Sequence, residues 1–75
     1  MTINIIVPCY NEQEVLPWAV EHLQQVVAQI DSELHIATQL LFVDDGSRDA
    51  TWQLIEQTAE KYDNVEGLKL SLIHI

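Results

Sequence analysis

An α/β fold built on a small parallel sheet is what this sequence predicts, and three observations predict it. Three short runs rich in β-branched and other apolar residues recur along the chain, and the two stretches between them carry apolar residues at helical spacing. Each connection is also long enough to be a crossover, which parallel strands require because a tight turn cannot join them.

The first run, Ile3, Ile5, Ile6 and Val7, ends at Pro8 and reads as a strand over Thr2 to Val7, with proline confined to its end. Asn11 is a good helix N-cap, with Glu14 three positions on as a variant of the capping box, and Pro17 follows. A helix is expected from there to about Ile30. Leu16, Val20, Leu23, Val27 and Ile30 recur at alternating spacings of four and three and line one face of it. Asp31, Ser32 and Glu33 break the pattern, and Gln39 to Val43 is a second strand too short to be a helix. The polar loop Asp44 to Asp49 follows; its Gly46 suits a positive φ, and Asp49 can cap the next helix. That helix runs to about Tyr62, with Trp52, Ile55, Ala59 and Tyr62 on one face, and Val65 to Ser71 supplies the third strand. Both tryptophans, Trp18 and Trp52, read as packing residues, and the histidines as surface residues.

Crossovers are nearly always right-handed, so strands added in one direction, in spatial order 3-2-1, place both helices on the same face of the sheet. The strands are nevertheless apolar on both sides: Leu41 and Val43 point one way, Leu40 and Phe42 the other. A second covering layer is missing and strand one has an unpaired edge, so the chain by itself is expected to self-associate.

Bulk properties narrow the partners. A chain of 75 residues fits one small domain, which at this size buries only about 60% of its unfolded surface. Three basic residues against twelve acidic ones give a net charge of -9, which opposes the phosphate contacts that dominate nucleic-acid affinity and excludes DNA and RNA as partners. The same deficit means that the phosphates of a bound nucleotide would need a metal ion or basic groups from elsewhere. No apolar stretch approaches the ~20 residues of a membrane span, and the start carries no signal-peptide features and reads as cytoplasmic. Cys9 is the single cysteine; it has no disulfide partner, and no base nearby in sequence to make it a nucleophile.

In open parallel sheets ligands bind beyond the carboxyl ends of the strands, where this chain places Pro8 to Glu12 and Asp44 to Asp49. With Gly46 and Gly67 as its only glycines, the chain has neither a dinucleotide-binding fingerprint nor a P-loop. Its acidic pair follows the second strand, whereas in response-regulator receivers the pair follows the first. What remains is an aromatic ring with carboxylates. Tyr10 can stack on a base, while Asp44, Asp45 and Glu12 can accept hydrogen bonds from a base N–H or ribose hydroxyls. Asp49 is read as a helix cap, Glu14 as a carboxylate favoured by the helix dipole, and Arg48 as a solvated loop residue.

The strings IIVPCYNEQEVLP (Ile5 to Pro17) and LLFVDDGSRDATW (Leu40 to Trp52) resemble the start of a family 2 glycosyltransferase of the GT-A fold. The nearest likeness is to the polyprenyl-phosphate group, the dolichol-phosphate mannosyltransferases and bactoprenol glucosyltransferases. The resemblance implies a partial, Rossmann-like GT-A domain in which residues 1–71 are the amino-terminal nucleotide-binding part. Residues 72–75 depart from the pattern and are expected to be a non-native or truncated tail. It further implies that Pro8, Tyr10 and Glu12 line a nucleoside pocket and that Asp44 and Asp45 contact base and ribose. No catalytic or metal-binding residue is expected in this chain, since the family's Mg2+ or Mn2+ is held by a later Asp-x-Asp motif. The implied reaction moves a hexosyl group from a UDP- or GDP-linked nucleotide sugar to a polyprenyl-phosphate carrier, on the cytoplasmic side of the cell membrane. Two alternatives stand beside it: a non-enzymatic, partner-dependent nucleoside-binding fragment, and a soluble family 2 transferase acting on a sugar acceptor.

Overall fold

Residues 2–70 are described by a computed structural model; Met1 and residues 71–75 lie outside the described residues. The expected end of the third strand at Ser71, the tail expected at 72–75 and His74 therefore fall outside them too. In chain order the elements are β1 (Thr2–Cys9), α1 (Leu16–Leu34), β2 (Ala37–Asp44), α2 (Thr51–Lys61) and β3 (Val65–Lys69). The three strands form one parallel sheet in the order β1-β2-β3, which is the expected 3-2-1 order read from the opposite edge.

The boundaries moved for identifiable reasons. Helix α1 begins at Leu16, not after Asn11. Had Asn11 been the N-cap, Pro17 would stand at the sixth helical position, where its missing N–H and its ring are not tolerated; with Val15 as N-cap it falls in the first turn. Asn11 instead takes the left-handed conformation at φ 50 and makes no helix cap. Glu14 lies ahead of the helix, and the first turn carries no acidic residue. At its other end α1 runs past Ile30 to Leu34, because Asp31, Ser32 and Glu33 are all solvent-facing and no Gly or Pro stops the backbone there. It ends where His35 turns left-handed at φ 53 and donates its N–H to the Asp31 carbonyl. β1 includes Pro8 and Cys9, with Pro8 in register with Val43; an edge strand accepts proline.

Alternation along the strands sorts the sheet into two faces. Toward the helices lie the rows Ile5, Leu40, Val65 and Val7, Phe42, Gly67. There Leu40, Phe42 and Val65 are buried with Leu16 and Val20 of α1 and Ile55 of α2. Leu23, Val27, Trp52, Ala59 and Tyr62 pack around this cluster, so both predicted helical stripes face the sheet. Trp18 does not: it is 66% exposed and stacks on His22, because it sits two residues before the buried Val20 and so off the buried stripe. On the opposite face the rows are Ile6, Leu41, Glu66 and Pro8, Val43, Leu68. No helix covers them among the described residues, and Ile6 and Leu68 stay 64% and 47% exposed.

Gly67 lets α2 approach β3. A Cβ there would stand 2.6 Å from Cγ2 of Ile55 and 3.3 Å from the Trp52 ring. Gly67→Ala is therefore expected to cost about 1–3 kcal/mol through overpacking, read as a lower denaturation midpoint at unchanged slope. An unchanged midpoint would mean that α2 can shift without loss.

Candidate functional site

Both carboxyl-end loops leave adjacent strands and meet. The ladder continues one step beyond β2, where the Asp45 N–H donates to the Cys9 carbonyl at 3.0 Å. Beyond it the loops are joined through side chains. The Asn11 N–H donates to Ser47 Oγ at 2.9 Å, and the Arg48 N–H donates to Asn11 Oδ1 at 2.9 Å. The Glu12 N–H donates to Thr51 Oγ1 at 2.8 Å. Gln13 both donates its N–H to Asp49 Oδ2 at 3.3 Å and accepts the Ala50 N–H at Oε1, at 2.9 Å.

The five residues expected to form the pocket are divided by this arrangement. Tyr10 is 54% exposed, Pro8 and Asp45 are exposed, and Glu12 is half-buried. Asp44 is not at the surface: it is fully buried, with Oδ1 accepting the Ser47 N–H at 3.0 Å. Its Oδ2 is buried without a hydrogen-bond partner among the described residues. The reason is strand parity, since Asp44 continues the helix-facing series Thr38, Leu40, Phe42. The adjacent pair thus separates into an inward carboxylate that shapes the loop and an outward one open to a ligand. Gly46, at φ 81, makes the turn that follows.

Asp49 acts near the start of α2, though Ala50 is the N-cap residue. Its Oδ1 accepts the Thr51 N–H at 2.9 Å and also the Thr51 hydroxyl, so it satisfies the first helical amide from one position upstream. The Thr51 hydroxyl bond, supported by backbone N–H donors, holds the Asp49 carboxyl below its ordinary value. Burial, with the Glu12 and Asp44 charges, pushes the Cys9 thiol up, the opposite of an activated nucleophile.

Sequence reasoning missed the joining role of Asn11, Gln13, Ser47 and Thr51. The available signal was the density of Asn, Gln, Ser, Thr and Asp in both loops, residue types that bond neighbouring backbone, but which loop each serves depends on the strand register. The donor set does not fit a divalent metal: among the described residues no three His, Cys, Asp or Glu side chains converge. A cleft of about 460 Å³ lies between the two helices and is lined by Leu16, Val20, Leu54, Lys61 and Tyr62 among others. None of the five expected residues lines it.

Residues 4–71 match the model of glycosyl transferase family 2. The chain belongs to that family. It is 44% identical over 71 residues to the uncharacterized glycosyltransferase YkoT of Bacillus subtilis (strain 168), covering 92% of this chain and 21% of that protein. It is 40% identical over 70 residues to an undecaprenyl-phosphate 4-deoxy-4-formamido-L-arabinose transferase of Pseudomonas fluorescens (strain SBW25), covering 92% of this chain and 19% of that one. A transferase of the same name from P. fluorescens (strain Pf0-1) is 36% identical over 62 residues, covering 83% and 17%. The chain therefore spans about a fifth of the length of these relatives. No solved structure matches it. The βαβαβ arrangement is that of a partial GT-A, Rossmann-like domain of this family.

Proposed function

We propose that this segment forms the nucleoside side of the donor pocket in a transferase that moves a sugar from a UDP- or GDP-linked donor to a polyprenyl-phosphate carrier. The observation that supports the reading is the joining of the two strand-end loops, one carrying an exposed aromatic ring, Tyr10, and the other an exposed carboxylate, Asp45. Tyr10 stacks on the base. Asp45 accepts hydrogen bonds from the base or ribose, with Glu12 and Pro8 at the margin. Asp44 belongs to the pocket as its support, holding the Ser47 N–H and hence the Gly46 turn.

The carrier is proposed from relatives named as undecaprenyl-phosphate 4-deoxy-4-formamido-L-arabinose transferases. Their named sugar is an arabinose derivative, so five-carbon donors belong in the assay beside hexoses. The resemblance to the family implies Mg2+ or Mn2+ on the donor's diphosphate; among the described residues no three His, Cys, Asp or Glu side chains converge to hold one. When bound, the metal would offset charge on the departing diphosphate. The proposed position at the cytoplasmic membrane face rests on the lipid-phosphate names of the relatives; no helix among the described residues is long and apolar enough to cross a membrane.

The test is formation of a lipid-linked sugar when the complete gene product is given labelled UDP- or GDP-sugars and polyprenyl phosphate, with nucleotide affinity measured by calorimetry. Hydrogen bonds to a charged group are worth about 1.5–3 kcal/mol, so Asp45→Ala is expected to weaken UDP or GDP binding about 10- to 100-fold. Asp63→Ala, the same change of charge in the turn before β3, is expected to leave it unchanged. Equal losses would remove Asp45 from the pocket.

A further inference from the structure

We infer that Asn11 is the positioning residue that locks the two strand-end loops together and thereby sets nucleotide affinity, an inference that rests on the nucleoside-pocket reading. Asn11 stands between Tyr10 and Glu12, two residues which that reading places on the ligand. It alone of the joining residues has a positive φ, at 50. From that conformation it bonds both ways across the gap: its N–H reaches Ser47 Oγ, and its Oδ1 receives the Arg48 N–H, each at 2.9 Å. The two partners, 36 and 37 residues further along the chain, are adjacent and directly follow Gly46. Asparagine suits this position twice over. It tolerates left-handed backbone better than other residues with a side chain, and its amide oxygen accepts without adding charge.

The side chain is exposed and lies outside the core cluster. Removing it opens no cavity, so its contribution shows in the relative placement of Tyr10, Glu12 and Asp45 more than in global stability. A ligand bridging two loops that have lost the Asn11 Oδ1 bond must order their tips on binding, and affinity falls by that amount. The neighbouring bonds of Gln13 and Thr51 do not involve Asn11 and are expected to persist when it is changed.

Two substitutions separate backbone from side chain. Asn11→Gly keeps left-handed backbone available while deleting Oδ1, and Asn11→Asp keeps both the conformation and an acceptor oxygen. In the complete gene product, Asn11→Gly is expected to weaken UDP or GDP binding about 5- to 10-fold with little change in Tm. The Arg48 amide should exchange faster with solvent in the same variant. Asn11→Asp, which keeps an acceptor oxygen, should restore the protection of that amide. The inference is overturned if Asn11→Gly binds nucleotide as the parent does, or if the Arg48 amide exchanges no faster in Asn11→Gly than in the parent. Should the parent bind neither UDP nor GDP, the nucleoside reading falls and the affinity claim with it. Exchange at Arg48 then still decides whether Asn11 joins the loops.

Discussion

Phe42→Ala is expected to destabilise the complete gene product by about 3–5 kcal/mol, as truncation of a large buried aromatic generally does. Phe42 is fully buried at the middle of the central strand. It lies in register between Val7 and Gly67 and in one cluster with Leu16 and Val20 of α1 and Ile55 of α2. Every element contributes to that cluster, so no single helix can move to refill the space without leaving another. Folded proteins have only about 5–15 kcal/mol in total, so the variant should lose most of its folded yield and shift its urea midpoint sharply at unchanged slope. Leu34→Ala provides the comparison. Leu34 is 60% exposed at the end of α1, and its loss should stay within about 0.5 kcal/mol. A Phe42 effect as small as that of Leu34 would place the centre of the core elsewhere.

Expressed as the 75-residue chain alone, the protein is expected to associate with itself. Ile6, Leu68 and Leu70 are 64%, 47% and 43% exposed, and the first two lie with Leu41 and Val43 on the sheet face that no helix covers among the described residues. β1 and β3 also each offer one unpaired edge among the described strands. Exposed apolar surface and open strand edges both favour pairing with another copy. Sedimentation velocity should show mass above the monomer rising with concentration, and placing lysine at Ile6 and Leu68 should shift it back toward monomer. A single monomeric species with a cooperative unfolding transition would show that the open face is tolerated in water.

The relation between the loops and the core explains why these effects differ in kind. Phe42 and the Asp44 carboxylate belong to the same inward series of β2, two residues apart. Core packing therefore fixes the height at which the acidic loop leaves the sheet. Asp45, one residue on, inherits the outward direction, and its N–H bond to Cys9 ties it to the end of β1. The fold positions the candidate site through strand parity and register, and the loop side chains refine that placement.

The sequence by itself determined the order and type of the elements, because each rests on local periodicity. The apolar residues of α1 recur at spacings of three and four, β2 is an apolar run too short for a helix, and for strands added in one direction the crossover rule puts both helices on the same face of the sheet. The family was also legible, since its two motifs sit at successive strand ends. Only the tertiary structure decided where α1 begins, because Asn11 is as good a loop partner as it is a cap, and the choice depends on Ser47 and Arg48 across the gap. The structure also shows that Trp18 faces solvent, off the stripe that its own helix defines, and that Asp44 is enclosed while Asp45 is open, as strand parity directs. For the start of α1 the deciding partners are distant in sequence. Periodicity sees only near neighbours, whereas the satisfaction of a polar group or the burial of a ring is settled by whatever the register brings alongside it.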